Sequence, residues 1–355
     1  MSAELSKILS SPYVFALRRP QQAIQFLYGE SAPLEHVSNK NFQLYVPGYE
    51  REGAGLNSQG AFWVLPHRSS FESLPPPQKK KLNKKDREEA PALDGWIAYC
   101  EKIKHQLDLS DLQKVVPVRS VSYSLSKDEL DPLELVNKIF EESDERSYSY
   151  FLKWPQGVFL GKTPELLFKR SGDMIKIPVI AGTREHHGAD ANSQAESLLS
   201  DTKERLEHQI VVDGIKESLK EMGLEGKVSF GPEPLFLKTL VHLQSEIVVE
   251  ADKINSMELV NQLHPTPAVG GIPRLAAWNF IGSHEGQKRG LFSSPILVKD
   301  GEEELCLVAL RSALIVKESI RFYAGAGYVK GSDPEREWRE TEAKMKVMED
   351  LIYGK

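Results

Sequence analysis

Apolar residues recur along this chain at two spacings, one typical of strands and one of helices. The first marks residues 115–125 (VVPVRSVSYSL), 157–163 (GVFLGKT), 166–172 (LLFKRSG), 174–182 (MIKIPVIAG), 305–316 (LCLVALRSALIV) and 320–329 (IRFYAGAGYV). These stretches are rich in Val, Ile, Phe and Tyr and bounded by Gly, Ser, Asp or Lys, which predicts strands. Several follow one another across short turns, which favours antiparallel pairing over crossover helices. The class expected is α+β, with large antiparallel sheets flanked by helices.

The helical spacing predicts two long helices that carry carboxylates. One spans about residues 193–222, where Val211, Ile215 and Leu219 recur at every fourth position and one turn back falls on Glu207. A carboxylate therefore continues an inward stripe. The other begins at Ser332-Asp333-Pro334, a cap followed by proline at the first helical position, and runs to about Ile352. Trp338, Met345, Met348 and Ile352 mark its buried side, and Glu337, Glu340 and Lys344 form a charged stripe beside it.

Residues 74–91 (LPPPQKKKLNKKDREEAP) combine three prolines with a charge run, so a linker or exposed loop is expected there. The lysines of 79–85 are answered by Asp86, Glu88 and Glu89, which reads as a solvated surface. This stretch sets short segments (FQLYVPGY, AFWVLP) apart from the longer C-terminal portion. The expected organisation is one domain over 1–355, with a looser part at 1–90 and the motif-bearing core at 91–355.

Composition narrows the function classes. A chain of 355 residues with 40% apolar and 27% charged residues is an ordinary globular protein. No apolar run reaches the length of a membrane helix, and the N-terminus lacks the apolar core of a signal peptide. Cys100 and Cys306 are the only cysteines and lack metal-ligand spacing, which suits a reducing cytosol and a cytoplasmic protein. A net charge of −6 gives no basic footprint for nucleic acid.

Several residues then stand out chemically. Period two puts Leu112, Lys114, Val116 and Val118 on one strand face. A lysine among valines either snorkels to water or is desolvated toward general-base range; the pattern alone favours the surface. Glu165, at a strand start behind Pro164, reads alone as solvated. Glu207, Glu337 and Glu340 could give oxygen ligands to a hard cation, although Glu340 and Lys344 also make an ordinary helix-surface pair. Arg311, placed mid-strand by its apolar flanks, calls for an anionic partner. The AGAG of residues 324–327 lets backbone approach a ligand, or simply turns. Its spacing is wrong for a dinucleotide fingerprint.

Taken in order, KVVPVRS, FLGKTPELLFKR, IPVIAGTR, KERLEHQIVVDGI, TLVHLQSEI, LHPTPAVGGIPR, RGLFSS, LRSALI and RFYAGAGYVKGSDPEREWRETEAKM resemble the chorismate-binding enzymes from about residue 110 to the C-terminus. That family holds the isochorismate, salicylate, anthranilate and aminodeoxychorismate synthases. The resemblance implies an anthranilate synthase component I-like fold. It implies Lys114 as the base that activates water and Glu165 as the acid that protonates the departing C4 hydroxyl of chorismate. Glu207 and Glu340 would be magnesium ligands, with Glu337 acting through water. Arg311, the amide around Gly325, and Lys344 would hold the pyruvyl carboxylate. Gly182 and Thr183 would line the site near the ring carboxylate, and His242 would lie close to the ring. This shifts the reading of Lys114 from surface to function.

Branch habits point further. Lys114 argues against the ammonia-using anthranilate branch, Ala181 against aminodeoxychorismate synthases, and Ala268 matches the isochorismate branch where salicylate synthases tend to carry threonine. The expectation is an isochorismate synthase supplying menaquinone or siderophore synthesis, with chorismate as substrate. No glutaminase, nucleic-acid or membrane partner is expected, and the chain is expected to be a monomer. Salicylate synthase and a chorismate-binding protein with weak turnover are the alternatives. One departure stands out: where the family reads F/Y-x-G-x-V-G, this chain reads Phe292-Ser293-Ser294-Pro295-Ile296-Leu297. A side chain at Ser294 is expected to crowd the substrate.

Overall fold

Period-two alternation sorts strand side chains onto two faces, and both faces are used. In Tyr13–Arg18, Val14 and Ala16 enter one apolar cluster while Phe15 and Leu17 enter a second. In Gly157–Thr163, Val158 and Leu160 join the first and Phe159 the second. Ile296 and Val298 of Pro295–Asp300, with Leu305 and Leu307 of Glu303–Val308, meet that second cluster from the opposite side; Leu297, Cys306 and Val308 turn to a third. The second cluster is therefore the seam between two stacked sheets. Helices Ser2–Ser10, Pro132–Glu141 and Pro334–Tyr353 cover the first cluster, and Thr202–Glu221 with Ser256–Leu263 cover the third. The result is four layers, helix–sheet–sheet–helix. This computed structural model describes residues 2–30, 43–47, 61–76, 83–126, 130–141, 147–237 and 240–354.

The larger sheet has nine strands, in the order His67–Phe71, Ile24–Gly29, Tyr13–Arg18, Tyr148–Trp154, Gly157–Thr163, Ser312–Val316, Ser319–Gly325, Val118–Ser124 and Lys85–Ala90. The other has eight: Lys227–Phe236, Leu240–Glu250, Met174–Glu185, Leu166–Ser171, Glu303–Val308, Pro295–Asp300, Gln43–Val46 and Ala61–Val64. A three-stranded sheet of Gly271–Ile272, Lys114–Val115 and Tyr328–Val329 completes the set. Pairings among the described residues are antiparallel throughout, as expected for this α+β class.

Two chain crossings between the stacked sheets set up the site. Gly157–Thr163 lies in the nine-stranded sheet and Leu166–Ser171 in the eight-stranded one, so the chain changes sheets at Pro164 and Glu165. Glu303–Val308 and Ser312–Val316 make the return crossing through Ala309, Leu310 and Arg311. The crossings are tied together: Lys162 N donates to Arg311 O at 3.1 Å, and Val308 N to Glu165 O at 3.0 Å.

Four expectations from the sequence change. LCLVALRSALIV is two strands, and Arg311 sits in the break with a left-handed φ of 46°. Its neighbours are apolar because each strand is buried in its own sheet. The helix expected over 193–222 is split into Ala191–Ser200 and Thr202–Glu221, because Asp201 caps the second by accepting from Lys203 N and Glu204 N. Lys85–Ala90, expected within a linker, is an edge strand on Val118–Ser124; residues 77–82 of that stretch lie outside the described residues. An edge strand needs only one ladder and no buried face, and charged side chains suit it. Finally, Leu112 packs with Val115 and Trp96, away from the face that Lys114, Val116 and Val118 share.

Candidate active site

The residue types singled out in the sequence converge on one cavity at the ends of the two crossings. Lys114, Glu165, Gly182, Thr183, Glu207, His242, Ala268, Arg311, Gly325, Glu337, Glu340 and Lys344 all line it. Lys114 is 1% exposed, so the surface alternative fails. Its strand is central in the three-stranded sheet, and its ammonium donates to Glu207 Oε1 at 2.7 Å. Gly327 makes room for that pair, since a Cβ there would collide with Glu207 Oε1 and crowd Lys114 Cε. The second glycine of AGAG is thus the one that the close approach of Lys114 and Glu207 requires.

Glu165 is buried at the first crossing, where Thr266 Oγ1 lies 3.5 Å from its Oε1. Burial pushes its carboxyl up to about 7, against the downward pull of Lys114, Lys344 and Arg311. The turn hides it because Thr163 Oγ1 accepts from Glu165 N at 3.1 Å, closing the chain on itself. Glu207 behaves in the opposite way. Burial would raise it, yet the Lys114 ammonium bonded to it, with Lys203 and Lys344 beyond, holds it below the ordinary carboxylate value.

The opposite wall comes from Met174–Glu185 and Leu240–Glu250. A bulge between Ala181 and Thr183, with Gly182 at φ +81°, turns the Thr183 amide toward Glu204 Oε2 at 3.1 Å. Thr183 Oγ1 meets His242 Nδ1 at 2.9 Å, and Arg311 Nη2 donates to His242 Nε2 at 3.1 Å. An Nε2 that accepts from a guanidinium leaves the proton on Nδ1. Burial and the charges of Arg311 and Lys344 hold His242 well below its ordinary pKa, so it is neutral. It thereby orients Arg311.

The helix Pro334–Tyr353 presents Glu337, Glu340 and Lys344 on one face. Lys344 Nζ pairs with Glu340 Oε1 at 2.6 Å and donates to Gly325 O at 3.0 Å. The helix-surface pair expected from the sequence therefore forms inside the cavity. At Gly325 it is the carbonyl that is engaged, by this lysine. Burial alone would lower Lys344, but Glu340 beside it wins and keeps the ammonium charged. Glu337 is 2% exposed and accepts from Lys203 at 3.2 Å; burial and Glu340 push its carboxyl up.

Sequence reasoning missed Glu204, Lys203 and Ser293, all of which line the cavity. Glu204 had a legible signal. It precedes Glu207 by one helical turn, as Glu337 precedes Glu340, so both helices present an i, i+3 carboxylate pair. Burial, with the charges of Glu207 and Glu340, raises Glu204 as well.

The expected crowding at Ser294 is corrected. Ser294 is fully buried behind the wall, and its hydroxyl turns back to Leu291 O at 2.9 Å. Its neighbour Ser293 lines the cavity.

A family model described as chorismate binding enzyme matches residues 63–353. The chain belongs to the chorismate-binding enzymes. Among similar members of the family are isochorismate synthase MenF of Bacillus subtilis, 32% identical over 74% of this chain and 56% of that protein. The salicylate biosynthesis isochorismate synthase of Pseudomonas aeruginosa is 38% identical over 55% and 42% respectively. The matched stretches thus span about half the length of these curated relatives. The solved structure of MenF, the menaquinone-specific isochorismate synthase from Escherichia coli, shares the fold at a TM-score of 0.85, with 23% identity over 98% of this chain and 91% of that one. In this chorismate-binding enzyme both free cysteines are buried, and among the described residues no helix is long and apolar enough to cross a membrane.

Proposed function

We propose that this chain is an isochorismate synthase, adding water at C2 of chorismate with loss of the C4 hydroxyl. The observation that carries the proposal is the pairing of Lys114 and Glu165 within one cavity. Both are buried, and the glutamate is pushed up to about 7, which suits a general acid at neutral pH. Lys114, once it has given up the ammonium proton it shares with Glu207, would take the proton of the incoming water, and Glu165 would give one to the departing hydroxyl. Chorismate is a dianion. Arg311, oriented by neutral His242, and Lys344 would hold its enolpyruvyl carboxylate, and Gly182 and Thr183 would lie by the ring carboxylate. Ala268 gives that wall a small apolar side chain.

The carboxylates of the cavity suit a hard divalent cation. Among the described residues no three His, Cys, Asp or Glu side chains are already gathered as a metal cage. Glu204 and Glu337 are nonetheless raised partly by like-charged neighbours, a crowding that a cation would relieve, and an all-oxygen donor set selects magnesium over softer metals. Glu207 and Glu340 would hold Mg²⁺, with Glu337 reaching it through water. Bound there, the ion supplies positive charge for the ring carboxylate. We further propose that the enzyme works in the cytoplasm as a monomer, without a glutaminase, and supplies menaquinone or siderophore synthesis.

The test is a long incubation of purified protein with chorismate and Mg²⁺, followed by chromatography. A plateau of chorismate and isochorismate with little pyruvate supports the proposal. Stoichiometric pyruvate and salicylate would make it a salicylate synthase, and no turnover would leave a binding protein.

A further inference from the structure

Ser293 combines features that a purely structural residue has no need of. Its φ of +54° lies in the left-handed region, where a serine is strained and glycine would rest easily. The backbone there is fixed without help from the side chain. Ser293 N donates to Ala309 O at 2.8 Å, and Ser293 O accepts from His264 Nε2 at 2.7 Å. The residue is 1% exposed and lines the cavity, yet its hydroxyl has no hydrogen-bond partner among the described residues. A buried hydroxyl left unpaired costs stability, and in a native fold such a group usually awaits a ligand or water.

Its surroundings indicate the ligand's chemistry. Ala309, to which Ser293 is bonded, belongs to the crossing that delivers Arg311 to the cavity. Beside it Phe292 stacks on Tyr323, centroids 5.3 Å apart, closing that wall with aromatic surface. The serine is therefore a buried polar group in an apolar wall, bonded to the crossing that brings Arg311 into the same cavity.

We propose that the Ser293 hydroxyl donates to an oxygen of the substrate carboxylate held by Arg311, and so sets the affinity for chorismate. The inference rests on the reading of chorismate as ligand given above. Serine at a left-handed position then makes sense: the strain is kept because glycine would remove the donor.

Calorimetric titration of chorismate into the wild type, Ser293→Ala and Ser293→Gly tests this, alongside melting of each free protein and steady-state kinetics. Both variants should bind chorismate about tenfold more weakly, the loss of one hydrogen bond to a charged group. The deficit should fall on KM rather than kcat. Ser293→Gly should melt higher than the wild type as strain is relieved, and Ser293→Ala no lower. A structural serine would instead show a lower melting point in Ser293→Ala and unaltered affinity in Ser293→Gly. Equal affinity in all three proteins overturns the inference and leaves the isochorismate reading intact. A wild type that binds chorismate but releases another product overturns that reading, while the affinity ratio still decides on Ser293. A wild type that does not bind chorismate overturns both.

Discussion

Lys114 shows how burial changes the meaning of a residue. From sequence it looked like a surface lysine on a valine strand, because alternation tells which residues share a face and not what covers that face. The covering is Glu207 on a helix 93 positions away, made possible by Gly327. Lys114→Ala and Glu165→Gln should each lower kcat by about two orders of magnitude or more, the range for general catalysts, with a smaller change in chorismate affinity measured by titration. Glu165 also sets a pH dependence. As the proposed acid, it must be protonated, so kcat/KM should fall as pH rises through about 7. Stability follows the same sign. A carboxyl raised above its unfolded value of 4.5 to about 7 loses stability for the fold as pH rises through that window. Melting scans should therefore show the advantage of Glu165→Gln over the wild type growing between those values. Ser294→Gly should leave KM unchanged and cost about 1 kcal/mol for its lost bond to Leu291 O, measured by urea unfolding.

Among the elements, the helices were the more legible. Asp333 and Pro334 announced the last helix, and its charged stripe emerged where the 3.6-residue period put it. The break at Asp201 was not foreseen, since an aspartate inside a helical pattern reads equally as a surface position. Here it accepts two backbone amides and pairs with Arg184 at 2.5 Å, fixing the first turn of the helix that carries Glu204 and Glu207. Asp201→Ala should cost about 1–2 kcal/mol in urea unfolding, the worth of an N-cap. It should also weaken Mg²⁺ activation, read as a higher metal concentration at half-maximal rate. The strand ends were the least legible elements. An apolar run such as 305–316 cannot reveal that its halves belong to different sheets, because both sheets bury both of their faces there.

At the scale of the molecule, the class and the antiparallel sheets were legible from alternation and short turns, while the stacking of the sheets was not, since it depends on which distant strands meet. Strands before residue 91 are built into both large sheets: Tyr13–Arg18 lies inside the nine-stranded one and Gln43–Val46 pairs with Pro295–Asp300 in the other. A chain shortened to 91–355 should therefore fail to fold, giving aggregated material by size-exclusion chromatography and no cooperative melt by circular dichroism. EDTA should abolish turnover of the full chain and Mg²⁺ restore it, which a coupled assay would follow. The paired crossings at Glu165 and Arg311 carry a consequence for how such an enzyme can be altered. A residue inside a ladder answers to two neighbours and a packed face, so its type is dictated by the core. A residue at a crossing answers to neither, although its backbone is held on both sides. New chemistry can thus be tried at these two positions, by selection or by engineering, with fewer demands from strand pairing than inside a ladder.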